Sequence, residues 1–260
     1  MYETIINKLN NDIECELFID ELKYIYEDNI KEFESIRILR NNYNDLCKLF
    51  GKKHVACTLE EINQDTICYI GDLVIDSKLP IYNLRYIYGS LQYKLNDMIN
   101  LENLEIVVGN VYFGSMYNVE GLENLSIIVG DGIFRFIDST ESLISLTSVY
   151  GTLDLNNVFK SNGLGNLKYI GKDAYFNRLR DAEHLNNLEK INRDAYFNCL
   201  VSTKGLENLE YIGGKANFDS LRSIEYLNSN IKILGEQFFG HDGLSLEEFR
   251  KKEKVKCLRK

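Results

Sequence analysis

The chain has 260 residues, 45% of them hydrophobic and 27% charged, the balance of an ordinary folded protein and not of a disordered one. Its net charge of −9 argues against nucleic acid as a primary partner, because phosphate binding needs clustered lysines and arginines. No stretch approaches the ~18 apolar residues that cross a bilayer, and no membrane partner is expected.

The start, MYETIINKLNNDIECELF, has acids and asparagines where a secretory leader needs a basic end and an apolar core. A cytoplasmic location is therefore expected, unless export uses no N-terminal signal. Residues 1–52 carry no repeat and read as a helical cap region. Ile5, Ile6, Leu9, Ile13, Leu17 and Phe18 follow helical spacing, continued by Leu22, Ile25 and Tyr26. A second set, Phe33, Ile36, Leu39, Tyr43, Leu46 and Phe50, predicts another helix ending before Gly51. Capping a solenoid is the favoured role for these helices, and a signalling or effector role is the alternative.

Residues 66–240 are dominated by a repeat. From Leu167 the chain reads LKYIGKDAYFNRLRDAEHLNN, then LEKINRDAYFNCLVSTKGLEN, then LEYIGGKANFDSLRSIEYLNSN, with DAYFN recurring after 21 residues. The same frame fits copies from Leu146, Leu125 and Leu104, and a 20-residue copy from Leu84. A truncated unit at Ile231 closes the array and a degenerate one around Ile70 to Ile75 opens it. Positions 1, 4, 8, 10, 13 and 19 are mostly apolar, glycine is frequent at 5 or 6, and asparagine is usual at 21. Position 10 is Tyr93, Phe113, Phe134, Leu155, Phe176, Phe197 and Phe218.

Alternation at 8 and 10 is the period of a short strand with one buried face. A unit this short cannot enclose a core alone, so equivalent residues must stack in ladders ~4.8 Å apart. Glycine at 5 or 6 lets the chain turn between a first strand and a second. Asparagine at 21 suits a corner, its amide bonding the backbone of its own or an adjacent turn. The sequence thus predicts a repeat solenoid, a parallel β-helix of about eight 21-residue rungs with leucine-rich-repeat character. At residues 241–260, Ser245 and Glu248 are spaced as a capping box and introduce a short C-terminal helix through Phe249 towards Leu258.

The usual leucine-rich spacing, L-x-x-L-x-L-x-x-N/C-x-L, fits this array poorly. Glu102 to Gly130, ENLEIVVGNVYFGSMYNVEGLENLSIIVG, instead resembles the receptor L domain of insulin- and growth-factor-receptor ectodomains, through the cadence ENL-x-x-I-x-G-x-L/M-x-F/Y. The resemblance covers roughly Ile67 to Phe239 and implies a right-handed β-helix related to leucine-rich repeats, akin to free-standing bacterial relatives. The array lacks the receptors' disulfide framework and secretion signal, so an extracellular receptor role is not implied. Cys15, Cys47, Cys57, Cys68, Cys199 and Cys257 are scattered without CxxC pairs or metal-like spacing, and reduced thiols acting as small hydrophobes are expected.

Two outward surfaces recur. Positions 7, 9 and 11 flank the buried 8 and 10, and place Tyr112, Asp131, Ile133, Asp154, Asp173, Tyr175, Asp194 and Tyr196 on one face, with Asn156, Asn177 and Asn198 beside them. Tyrosines beside carboxylates suit recognition of a basic partner; equally, these are ordinary solvated strand residues and the asparagines brace a turn. Positions 3 and 5 give an apolar stripe, Tyr86, Tyr88, Ile106, Val108, Ile127 and Val129, which the N-terminal helices, a second copy or a partner would cover. His54, His184 and His241 fit no metal or triad spacing, and no catalytic, cofactor-binding or metal residue is assigned. The leading expectation is a non-catalytic scaffold recognising a protein or peptide on the Tyr/Asp face. Glycan binding is the alternative. A polysaccharide-cleaving β-helix, with Asp131, Asp154, Asp173 and Asp194 as its acids, is the lesser one, since ladders of like carboxylates do not split their pKa values.

Overall fold

The computed structural model describes residues 46–47, 50–79, 81–95, 101–113, 120–137 and 139–257. Of the expected N-terminal helices, only Leu46, Cys47 and Phe50 fall among these, and all three are helical; the rest of that region lies outside the described residues, as does Leu258.

Each turn of the chain lays down two strands of two or three residues. The first joins a ten-stranded sheet from Val55–Ala56 to Lys232–Ile233, the second a nine-stranded sheet from Leu73–Ile75 to Gln237–Phe239. Every pairing is parallel and joins a strand to its equivalent one turn later, as in Ile106↔Ile127 and Ala174↔Ala195. The result is a β-solenoid of about eight turns, about 21 residues apart. Strands so short have no stability alone. Their backbone groups are satisfied only by the turns on either side.

The register revises the array at both ends. Val55–Ala56 already pairs with Cys68–Tyr69, so the stack begins before residue 66. At the far end Tyr211 pairs with Lys232 and Phe218 with Phe239, so the last unit keeps the 21-residue step and is not displaced to start at Ile231. That step carries Phe239 into position 10, beyond the end of the aromatic series read from the sequence.

The interior is a set of ladders. Ile87, Val107, Ile128, Val149, Ile170, Ile191 and Ile212 line one wall at position 4, all fully buried. At position 10 Phe176, Phe197, Phe218 and Phe239 stack with ring centroids 5.1, 5.1 and 5.0 Å apart, while Tyr93, Phe113 and Phe134 form a second stack above Leu155. Ala174, Ala195 and Ala216 leave room beside the three large rings of their own turns. Position 16, which the repeat pattern leaves unassigned, points small hydroxyls inward: Ser161 Oγ accepts the His184 N–H and Thr203 Oγ1 accepts the Tyr226 N–H.

The corner asparagines behave as expected. Asn103, Asn124, Asn166, Asn187 and Asn208 each donate from Nδ2 to a carbonyl one turn earlier, those of Tyr82, Glu102, Ile144, Gly165 and Asn186, at 2.6–2.8 Å. The glycines at position 6 have a different reason from the one expected. None of Gly89, Gly109, Gly130 or Gly151 has a positive φ. A Cβ on Gly109, Gly130 or Gly151 would instead lie 2.5–2.6 Å from the preceding turn's glycine backbone, so these residues are needed for close approach of successive corners.

The apolar stripe on the outer face of the first sheet is buried. Tyr86, Tyr88, Ile106, Val108, Ile127 and Val129 form a second hydrophobic cluster, separate from the interior, with Leu46, Val55, Cys68 and Ile70. Leu46 is 1% exposed and Phe50 stacks on Tyr86 at 5.3 Å, so part of the N-terminal helical region does pack on this face. A homodimer through these six residues required the stripe to be uncovered, and in the single chain it is not. At the other end the helix Leu246–Cys257 closes the interior. Ser245 and Glu248 form the expected reciprocal cap, and Phe249 sits 6.2 Å from Phe239 at the end of the ring stack. Arg250 Nη2 donates to the carbonyls of Asn228 and Ser229, tying the helix to the last turn. Among the described residues no helix is long and apolar enough to cross a membrane.

Candidate functional site

The outward face of the second sheet arises from strand alternation: in Val111–Phe113 and Ala216–Phe218 the outer residues are buried and the middle one is half-buried. The eight residues expected there fall into two rows with different roles.

The row at position 7 stands where the chain passes from the first strand to the second. Its N–H groups are satisfied by side chains of the preceding turn. Asn110 Oδ1 accepts the Asp131 N–H and Asp131 Oδ1 accepts the Thr152 N–H, both at 2.8 Å. Asp173 Oδ1 accepts the Asp194 N–H at 3.1 Å, and Asp194 Oδ1 the Lys215 N–H at 2.8 Å. The series begins earlier, with Asp72 Oδ1 accepting the Ser90 N–H. One oxygen of Asp131, Asp173 and Asp194 is therefore a backbone brace. Lys172 Nζ also lies 3.8 Å from the bracing Oδ1 of Asp131, and Asp194 Oδ2 accepts the Tyr196 phenol at 3.1 Å.

The row at position 9 presents Tyr112, Ile133, Tyr175 and Tyr196, all half-buried. Asp154 does not share that exposure. It is 2% exposed; Arg135 Nε and Nη2 both donate to its Oδ2 at 2.9 and 2.8 Å, and its Oδ1 accepts the Asn156 N–H. Tyr175 and Tyr196 stack with centroids 5.0 Å apart and planes 4° from parallel. One face of each ring is thus covered by the other. Burial, then the hydrogen bond to Asp194, pushes the Tyr196 phenol up to about 12, and burial with the carboxylates of Asp173, Asp194 and Asp154 raises that of Tyr175. Both rings stay protonated donors at neutral pH.

Two further residues belong to this face. Lys215 Nζ lies 6.0 Å from the Tyr196 centroid and 4.5 Å from that of Phe238. Phe238 occupies position 9 of the last turn, in register with Asn217. Holding the 21-residue step through the last copy would have found it; Arg135, at position 11, was visible as a basic residue next to the asparagine run of Asn156, Asn177 and Asn198 in its column. At position 11 Asn177 Nδ2 donates to Asn156 Oδ1, and the buried Oδ1 atoms of Asn177 and Asn198 have no partner among the described residues. Of the asparagines weighed as turn braces, Asn156 and Asn177 are the pair so linked among the described residues.

Other candidate chemistry is dispersed. His54 Nδ1 meets the Asp65 carbonyl at 2.8 Å, while His184 and His241 are exposed on the surface. Cys47, Cys57, Cys68 and Cys199 are free thiols, the first three in or against the outer hydrophobic cluster, where burial pushes the Cys68 thiol well up. Among the described residues no three His, Cys, Asp or Glu side chains gather as metal ligands. Comparison with known proteins finds no family model, no curated protein and no solved structure that matches the chain.

Proposed function

We propose that the chain is a non-catalytic binding scaffold, a solenoid of the receptor L domain type that holds a protein or peptide partner on the outward face of its second sheet. The observation that carries this reading is the rigid aromatic strip of Tyr175, Tyr196 and Phe238 with Lys215 between the last two. Aromatic rings fixed by their neighbours offer contact area with little entropy left to lose on binding. Tyr112 and Ile133 extend the strip along the axis. A basic partner fits the net charge of −9. The carboxylates themselves are engaged, so the attraction is a long-range one and not a set of free acids awaiting ion pairs.

The same geometry disfavours the other readings. A sugar ring stacks on an open aromatic face, and the facing surfaces of Tyr175 and Tyr196 are occupied by each other. Acid–base catalysis needs carboxyls free to exchange protons, whereas Asp131, Asp173 and Asp194 hold backbone N–H groups and Asp154 holds Arg135. A cytoplasmic setting fits the free thiols of Cys47, Cys57, Cys68 and Cys199.

The test is an affinity pull-down from lysate of the source organism, with wild type and a Tyr175→Ala/Tyr196→Ala variant in parallel. A partner held by wild type and lost by the variant supports the reading and its location. A partner held equally by both moves the site off this face, and binding confined to a glycan array replaces the reading altogether.

A further inference from the structure

Among the described residues, the third side of each turn, positions 12 to 15, forms no continuous sheet, only isolated parallel bridges at Lys160↔Asp181 and Ser202↔Ser223. Successive turns still lie in contact here, with the Arg180 N–H donating to the Phe159 carbonyl and the Arg222 N–H to that of Val201, both at 3.0 Å. Position 13 is buried, as Val158, Leu179, Leu200 and Leu221, so positions 12 and 14 face out. Position 14 then runs Phe159, Arg180, Val201, Arg222 over four consecutive turns, with Phe136 and Arg178 beside it at position 12. Phe136 is 42%, Phe159 37% and Val201 40% exposed, and all three arginines are exposed.

Two features set this strip apart. Arg178 and Arg180 lie over the Phe159 ring, 4.7 and 5.8 Å from its centroid, and Arg178 Nη1 also donates to Asn157 Oδ1 at 3.2 Å. Among the described residues none of Arg178, Arg180 and Arg222 has a carboxylate within ion-pair distance, which is also true of Arg193 and Arg250 but not of Arg85 and Arg135, so it is their clustering beside Phe136, Phe159 and Val201 that distinguishes the strip. In a chain with 39 acidic and 30 basic residues, three arginines without acids beside three exposed apolar side chains form a surface complementary to carboxylates.

We propose that this strip docks an acidic, extended segment of a partner protein lying along the solenoid axis. Arg180 and Arg222 are two turns apart, roughly 10 Å at the ~4.8 Å spacing of paired strands, which matches carboxylates three residues apart in a polyproline II segment, whose side chains return to the same edge every third residue at ~3.1 Å rise per residue. Each guanidinium takes one carboxylate in a two-point pairing, and one of the two apolar residues between them packs towards Val201. A nucleic acid is the poorer occupant, since three arginines offer few phosphate contacts and Phe136, Phe159 and Val201 offer none. This surface is on a different side from Tyr175 and Tyr196 and stands independently of the function proposed above.

The test is fluorescence anisotropy with the full chain and a short labelled peptide carrying glutamate at every third residue and valine or leucine between. A peptide with lysine for glutamate is the control. The glutamate peptide should bind and the lysine peptide should not, and Arg180→Glu/Arg222→Glu should weaken binding by about tenfold or more. Arg180→Lys/Arg222→Lys, which keeps charge and fold but loses the two-point geometry, should sit between, and Tyr175→Ala/Tyr196→Ala should bind as wild type. No binding of the glutamate peptide, equal binding of both peptides, a charge-reversed variant that binds normally, or loss confined to the tyrosine variant would each overturn the proposal.

Discussion

Asp194 holds the backbone of Lys215 from one turn below: its Oδ1 accepts the Lys215 N–H at 2.8 Å, while its Oδ2 takes the Tyr196 phenol at 3.1 Å. One carboxylate thereby sets both the spacing of two turns and the rotamer of an outward ring. Structure and candidate surface are coupled at this residue, and substitutions there separate the two.

Asp194→Ala removes both acceptors and leaves the Lys215 N–H without a partner. A loss of about 1–3 kcal/mol is expected. Asp194→Asn keeps an Oδ1, the same atom type that Asn110 uses towards Asp131, and should lose much less. Urea unfolding compares the two, and hydrogen exchange at Lys215 reports the local link, which matters because a solenoid need not unfold in one step. Equal stability of wild type and Asp194→Ala would show that the brace is not needed.

The Tyr196 phenol titrates near 12 in the folded chain against about 10 in an unfolded one. A raised folded value means that the stabilisation is full below about pH 10 and is lost as pH rises through about 12. The ultraviolet ionisation difference between wild type and Tyr196→Phe isolates this ring from the other tyrosines. Its midpoint should lie above that of an ordinary tyrosine and should fall in Asp194→Asn. A midpoint near 10 in wild type would remove Asp194 from its role.

Glycine should be irreplaceable at the crowded corners and dispensable elsewhere. Gly130→Ala places a Cβ 2.6 Å from the Gly109 backbone and is expected to be among the severe substitutions, by several kcal/mol or outright misfolding. Gly165→Ala meets nothing within 4 Å and has no positive φ, so it should be neutral or stabilising by about 0.4–1 kcal/mol. Thermal melts of the two variants make the comparison directly.

Phe197→Ala interrupts the stack between Phe176 and Phe218 and leaves a cavity the neighbouring turns cannot close. About 3–5 kcal/mol should be lost, with protection from hydrogen exchange falling most in the turns on either side. Phe197→Leu, which puts at position 10 the residue that Leu155 already is in its own turn, should cost a fraction of that.

The repeat was legible because stacking imposes the same demand on every turn: a buried residue at positions 4, 8 and 10 recurs in the text, and so do Asn103, Asn124, Asn166, Asn187 and Asn208. Periodicity therefore determined the solenoid, its ladders and the outward placing of Tyr112, Tyr175 and Tyr196, and the local spacing of Ser245 and Glu248 determined the cap of the last helix. It did not determine what an outward side chain does. Asp131, Asp173 and Asp194 read as free acids on a face, and only the tertiary structure, by bringing residues 21 apart within hydrogen-bond reach, engaged them as backbone acceptors. The same holds for Asp154, whose burial depends on Arg135 in the turn before, and for the position-6 glycines, whose need is the nearness of another turn and not their own φ. A repeat pattern records what is common to all turns. Contacts between particular side chains on neighbouring turns are set by packing along the axis, which no single turn's sequence contains.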